Sequence, residues 1–296
     1  MTAEGDGVAA AVVASCLYNL AVVVQKSQAE IVAETGVAIL GPLMARPLWL
    51  LGVAIQVVGL VFHGFALTEA PVTVVQPIIA SGIAFLVLFA ALILRERPSA
   101  RELLGMLLAV SGVSLLALRI QGPAVLAPLD ADDFAYAVVS AAALAALLLA
   151  FGRSPRIAST GVGAALVGSA AGVGQGMSDA MNRLAGAWFA PHGWVPPTWV
   201  LCAALALLFG FGFQGFVAAQ NAFQRYRANT VVPCIVTAQL FVPVAMALIL
   251  FGQPGPRDGV DACVWSLALL LTLAGIVWLA RAPGVERALS SRAGRS

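Results

Sequence analysis

Eight polar side chains lie inside long apolar stretches of this sequence and carry most of the chemistry it can offer: Asn19, Gln56, His63, Gln76, Gln175, Asp179, Gln214 and Gln239. A polar group in hydrocarbon is costly unless it meets a partner or a wet cavity, so each position is a candidate site residue. The six amides supply carbonyl oxygens and N–H donors suited to a small polar solute or a cation. His63 and Asp179 are titratable. The expectation is that Asn19, Gln56, Gln76, Gln175, Gln214 and Gln239 bind substrate. His63 and Asp179, at similar depth toward one face, are expected to line an outward-facing vestibule and couple transport to protons or cations. Spacing supports this grouping. Ser15, Asn19 and Lys26 share one helical face, as do Gly52, Gln56, Gly59 and His63, and again Gly168, Gly172, Gln175, Asp179 and Asn182. Pro77 and Pro233 stand beside Gln76, Ser81, Thr237 and Gln239, and a proline within a helix frees a backbone carbonyl that a ligand can use.

Plainer readings stand beside these. Gly168, Gly172 and Gly176 form a small-xxx-small ladder of the kind that packs helices closely. A single Gln or Asn can simply bridge two helices. Asp179 and Arg183, four residues apart, can form an interfacial ion pair, and His63 can be structural. Lys26 reads as a snorkelling anchor at the cytoplasmic end of a span, and Glu96, between Arg95 and Arg97, as closing a cytoplasmic salt bridge. Cys16, Cys202, Cys234 and Cys263 form no C-x-x-C and read as small buried hydrophobes.

Enzyme chemistry finds no footing. The sequence has two histidines, His63 and His192, with no H-E-x-x-H, no G-x-S-x-G and no phosphate-binding G-x-x-x-x-G-K-[ST]. No catalytic residue, cofactor or nucleic-acid partner is expected. Hard cations want several oxygen ligands, and Asp179 alone of the carboxylates sits well within a span, so no metal-ligand set is specified.

The elements that hold these residues follow from composition. Of 296 residues, 61% are hydrophobic and 10% charged, against about 25% charged in a soluble domain. Such a chain needs lipid as its solvent, and its long unbroken apolar runs call for helices rather than a barrel. The acidic Glu4 and Asp6 and the lack of a small-residue cleavage site make the first run a retained span. Nine spans are expected, near 7–24, 47–67, 71–94, 102–118, 133–151, 161–187, 198–219, 229–251 and 259–280. Thirteen basic residues then fall on one side and Arg119, Arg183 and Arg257 on the other. The positive-inside rule makes the richer side cytoplasmic, with the N-terminus outside and the C-terminus inside. The expected organisation is one transmembrane domain over 1–280 and a basic cytoplasmic tail over 281–296, in the plasma membrane.

The sequence also repeats. At a shift of 156, nine of the 25 positions from Val74 to Pro98 are identical, including Pro77 with Pro233 and the Ala-Leu-Ile-Leu blocks beginning at Ala91 and Ala247. Gly59 and Gly215 keep the same shift one helix earlier. Two four-span halves, 7–118 and 161–280, flank an unpaired span at 133–151. The odd span forces the halves to cross in opposite directions, giving an inverted-topology repeat, an architecture many secondary transporters use for alternating access.

Three stretches carry a family resemblance: Ala66 to Pro77, Leu92 to Arg97, and Gly105 with Ser111-Gly112-Val113. They resemble the EamA pattern of the drug/metabolite transporter superfamily. Pro47-Leu48-Trp49-Leu50-Leu51-Gly52, Gln220-Asn221-Ala222-Phe223-Gln224 and Thr230 to Pro233 are most similar to its NIPA-type, magnesium-transporter branch. Leu60 and His63 stand where that branch's pattern has an acidic residue and an asparagine. The resemblance implies a secondary transporter of a small polar metabolite or cation, with magnesium as the branch's own cargo. A non-transporting membrane scaffold is the alternative of another class. The partners expected are the lipid bilayer and a small-molecule or ion substrate, and a homodimer is compatible with the sequence.

Overall fold

The computed structural model describes residues 3–69, 72–96, 98–119, 130–186, 197–249 and 256–281, and all secondary structure among them is helical. The helices are α1 (Ala3–Ala29), α2 (Leu40–Met44), α3 (Pro47–Glu69), α4 (Val72–Ser81), α5 (Ile83–Ile93), α6 (Ala100–Arg119), α7 (Ala131–Gly152), α8 (Gly161–Gly186), α9 (Thr198–Arg225), α10 (Ala228–Ile249) and α11 (Gly259–Ala280), with a 3₁₀ turn over Gly36–Ile39. Six of them, α1, α3, α7, α9, α10 and α11, are long and apolar enough to cross a membrane. Their outward surfaces carry large apolar side chains such as Val61, Leu147, Phe209 and Val260, which only lipid can cover favourably.

Local sequence sets the helix ends. Asp130 opens α7 by accepting the N–H of Asp132 at 2.8 Å, and Asp258 opens α11 by accepting that of Asp261 at 2.7 Å. Ser99 and Glu102 form a reciprocal capping box on α6: the Ser99 hydroxyl oxygen accepts the Glu102 N–H at 3.2 Å, and the Glu102 carboxylate accepts the Ser99 N–H at 2.7 Å.

One expected element is divided. The span at 71–94 appears as α4 and α5, parted at Gly82. There Gly82 N–H turns back to the Ile79 carbonyl at 3.1 Å, and the Ser15 hydroxyl on α1 donates to that same carbonyl at 3.2 Å. A Cβ on Gly82 would lie 2.0 Å from Ser15 Oγ and 2.6 Å from Asn19 Nδ2. The break therefore needs glycine, and it is covered by α1.

Glycines also decide which helices touch. Gly52 and Gly59 seat α3 on α1, and Gly172 and Gly176 seat α10 on α8. Gly174 and Gly215 join α8 to α9, and Gly105, Gly112 and Gly275 join α6 to α11. The expected glycine ladder is thus a packing device. By contrast α1 and α8 scarcely touch. Cys234 is buried as expected, but Cys202 and Cys263 are exposed on the lipid-facing side of their helices, and all four cysteines are free thiols.

Candidate functional site

Polar side chains stand on both α1 and α8, which scarcely touch. Tyr18, at the middle of α1, presents its hydroxyl to His63 Nδ1 on α3 at 3.3 Å, with the two rings edge-on at 5.9 Å. Gly59 allows this, because it lets the Tyr18 ring rest on the α3 backbone. Across the gap, Asp179 of α8 accepts a hydrogen bond from Gln239 Nε2 of α10 at 2.9 Å. Gly176 allows that contact, since a Cβ there would come 2.7 Å from the Gln239 carbonyl. Tyr18 lies within the Coulomb field of Asp179. His63, Tyr18, Asp179 and Gln239 thus form one constellation drawn from α1, α3, α8 and α10. Asp179 is exposed, and among the described residues it is the one carboxylate more than a turn from a helix end. The His63 Nε2 atom is buried with no partner among the described residues.

The other expected site residues divide. Asn19 lies one residue beyond Tyr18, donates to the Ser15 carbonyl at 2.8 Å and covers the α4–α5 break. It therefore borders the constellation. Gln175 packs its stem against Gly215 of α9, and Gln214 faces Gly174 with both polar atoms buried and unpartnered among the described residues. Gln56 belongs to a separate run of amides: Trp49 Nε1 donates to Gln220 at 3.1 Å, Gln220 to Gln25 at 2.8 Å, and Gln25 to Gln56 at 2.7 Å. The Gln76 side chain lies outside the described residues, as do His192 and the tail after Arg281.

Sequence reasoning misplaced Lys26. Its side chain is 1% exposed, so it does not snorkel. The ammonium is bonded to Glu30, donates to the carbonyls of Phe223 and Tyr226 at 3.1 and 2.7 Å, and lies 3.5 Å from Glu96. Four oxygens from three segments replace the water it would otherwise seek. Glu96 does form salt bridges, to Lys26 and to Arg227 at 3.8 Å, and all three side chains are largely covered. Glu102 is fully buried and meets Arg227 at 3.2 Å. Tyr18, Glu102 and Arg227 were not anticipated. The Ser99-x-x-Glu102 box was a legible signal; the tyrosine, apolar in body, gave none. Leu60 is 61% exposed, and its hydrocarbon side chain supplies no ligand at the position where the family pattern has an acidic residue. Among the described residues no group of three or more His, Cys, Asp or Glu converges as a metal cage.

A helical bundle with several span-length apolar helices and large apolar side chains on its surface is a multi-pass membrane protein. The chain belongs to the NIPA magnesium transporter family, whose family model matches residues 2–156, and that family lies within the drug/metabolite transporter superfamily. No curated protein and no solved structure matches the chain.

Proposed function

We propose that this transporter is a secondary carrier that moves a hydrated divalent cation, magnesium in first place, by alternating access between two inverted halves. In this reading α4 and α5 are one broken span and the chain crosses the plasma membrane nine times, N-terminus outside and C-terminus in the cytoplasm. Two pairs of positions that keep the repeat's shift, Gly59 with Gly215 and Ile79 with Ile235, meet corresponding helices and so support the inverted halves. Gly59 of α3 packs on Leu17 and Tyr18 of α1, and Gly215 of α9 packs on Ala171 and Gln175 of α8. The Ile79 carbonyl meets Ser15 on α1, while the Ile235 carbonyl lies against Gly172 on α8. The unpaired α7 packs against α8.

The observation that carries the cargo assignment is the donor set around Asp179. Magnesium sheds water reluctantly and is usually held through one or two carboxylates with several waters retained. One carboxylate, with a glutamine amide and a tyrosine hydroxyl nearby, suits an ion gripped through its water shell and not a stripped one. His63, on Tyr18, is the partner that makes the grip sensitive to protons. The test is uptake into proteoliposomes, screened across magnesium, amines and amino acids with and without a pH gradient. Magnesium uptake in the wild type, with a loss of tenfold or more in Asp179→Asn and a changed pH response in His63→Ala, supports the reading. Uptake at wild-type rate and pH response in both variants removes the site. Uptake of an amine or amino acid in place of magnesium reassigns the cargo.

A further inference from the structure

Among the described residues, a set of hydrogen bonds that joins residues 3–152 to residues 161–280 converges on one short corner, the end of α9 and the start of α10. Asn221 binds the turn after α1 at both backbone groups, accepting from Gly36 N–H at 2.7 Å and donating to Gly36 O at 3.0 Å. Gln224 donates to the carbonyls of Val32 and Glu34, each at 2.8 Å. Gln220 ties Trp49 to Gln25. The Lys26 ammonium holds the carbonyls of Phe223 and Tyr226, which end α9. The Glu96 carboxylate accepts from Ala228 and Asn229 N–H, which begin α10, at 3.3 and 3.4 Å. A lysine on C-terminal carbonyls and a carboxylate on N-terminal amides each match the sign of the helix end they meet. Glu96 is aimed by strain: Arg95 takes the left-handed conformation at φ +58°, a state that residues other than glycine rarely adopt, and Glu96 N–H returns to the Ala90 carbonyl at 2.9 Å. Strain kept at one turn, to place one carboxylate, is a mark of a working position.

We propose that this corner is the carrier's inner gate, drawn here in its closed state, with Lys26 as the group that must leave its four oxygens for the gate to open. The gate rests on the carrier reading for its purpose. Amides and ion pairs suit such a device, because the oxygens and N–H groups released on opening are taken up by incoming water, whereas an opened apolar seal would expose hydrocarbon. The corner lies at the end of α1 away from Tyr18, so closing it leaves the Asp179 constellation reachable from the opposite face alone.

The test uses a reporter at Asn229, which is fully buried with both side-chain polar atoms unpartnered among the described residues. In full-length protein with the four native cysteines replaced by alanine, Asn229→Cys is exposed to a water-soluble thiol reagent in nanodiscs. Slow labelling is expected, accelerated tenfold or more by Lys26→Met and by Asn221→Ala. The second variant removes no charge and serves if the first fails to fold. Unchanged labelling in folded Asn221→Ala overturns the gate. A second arm bridges Gln25→Cys to Gln220→Cys with a short cleavable linker and measures magnesium uptake. Arrest on bridging and recovery on cleavage are expected, and undiminished uptake with the bridge in place also overturns the gate. Absence of uptake in the unbridged protein strikes the carrier reading instead, and the labelling arm still decides whether the corner opens.

Discussion

Replacing Gly176 by alanine separates the fold from the site. The new Cβ would lie 2.7 Å from the Gln239 carbonyl and 2.8 Å from Val242 Cβ, whereas ordinary contact begins at 3.4 Å. Because the first atom is backbone, α10 must retreat by roughly 0.7 Å, a rigid shift of the size that overpacked cores absorb at about 1–3 kcal/mol. Alanine returns about 1 kcal/mol through helix propensity, so the net cost is about 0–2 kcal/mol and the protein folds. The same retreat stretches the Asp179–Gln239 hydrogen bond from 2.9 Å to roughly 3.6 Å, beyond a working hydrogen bond. A hydrogen bond to a charged group contributes about 1.5–3 kcal/mol, so uptake falls roughly 10- to 100-fold. Gly210→Ala is the control, since nothing lies within 4 Å of its Cβ. Uptake and thermal unfolding of the two purified variants are compared in the same lipid. If Gly176→Ala carries solute as fast as Gly210→Ala, close α8–α10 packing does not build the site.

Lys26→Met takes from Glu96 one of its two cations and from the Phe223 and Tyr226 carbonyls their ammonium donor, and buried acceptors left unmade cost about 1–3 kcal/mol each; thermal unfolding will read this as one of the most destabilising substitutions in α1. Gln220→Leu leaves the Trp49 N–H without its acceptor and the Gln25 carbonyl without its donor, an expected loss of about 1–3 kcal/mol for buried polar groups left unmade, measured the same way. Glu96 sets a pH response whose sign follows from linkage. Burial pushes its carboxyl above the ordinary carboxylate range, against the pull of Lys26, Arg227 and the Ala228 and Asn229 amides; Glu30 and Glu102 complete its charged surroundings. A corner opened to water returns the group to its ordinary value, so the proton binds the closed form more tightly. Lowering the pH through that interval favours closure, and raising it favours opening. Labelling of the Asn229→Cys reporter, corrected for thiolate fraction against a surface thiol, is expected to slow as pH falls; the reverse trend refutes the assignment to Glu96.

Long apolar runs and their punctuation announced the helices, because hydrophobicity over about 20 residues is a one-dimensional property. The break at Gly82 was only half visible. Pro77 marked an irregular span, but the point of rupture depends on Ser15, which arrives from α1 and has no local signature. The same holds for the site. His63 and Asp179 stood out as titratable groups in apolar surroundings, while Tyr18, which links them, looks like any other aromatic residue. Lys26 was misread for a related reason. Near a span end a lysine ordinarily reaches for water, and only the fold brings four oxygens to it. Gln220, Asn221 and Gln224 were noticed as part of a family pattern, yet each spends its amide on a partner more than 150 residues away, a pairing that spacing cannot express.

The central claim is that Asp179 and its neighbours grip a cation through its water shell. Magnesium uptake in proteoliposomes, measured against a substitution-inert cobalt(III) hexaammine complex of about the size of the hydrated ion, tests it most directly. The account predicts competitive inhibition of the wild type and a residual uptake in Asp179→Asn that the complex no longer affects. Magnesium uptake that ignores the complex and runs at wild-type rate in Asp179→Asn would contradict it.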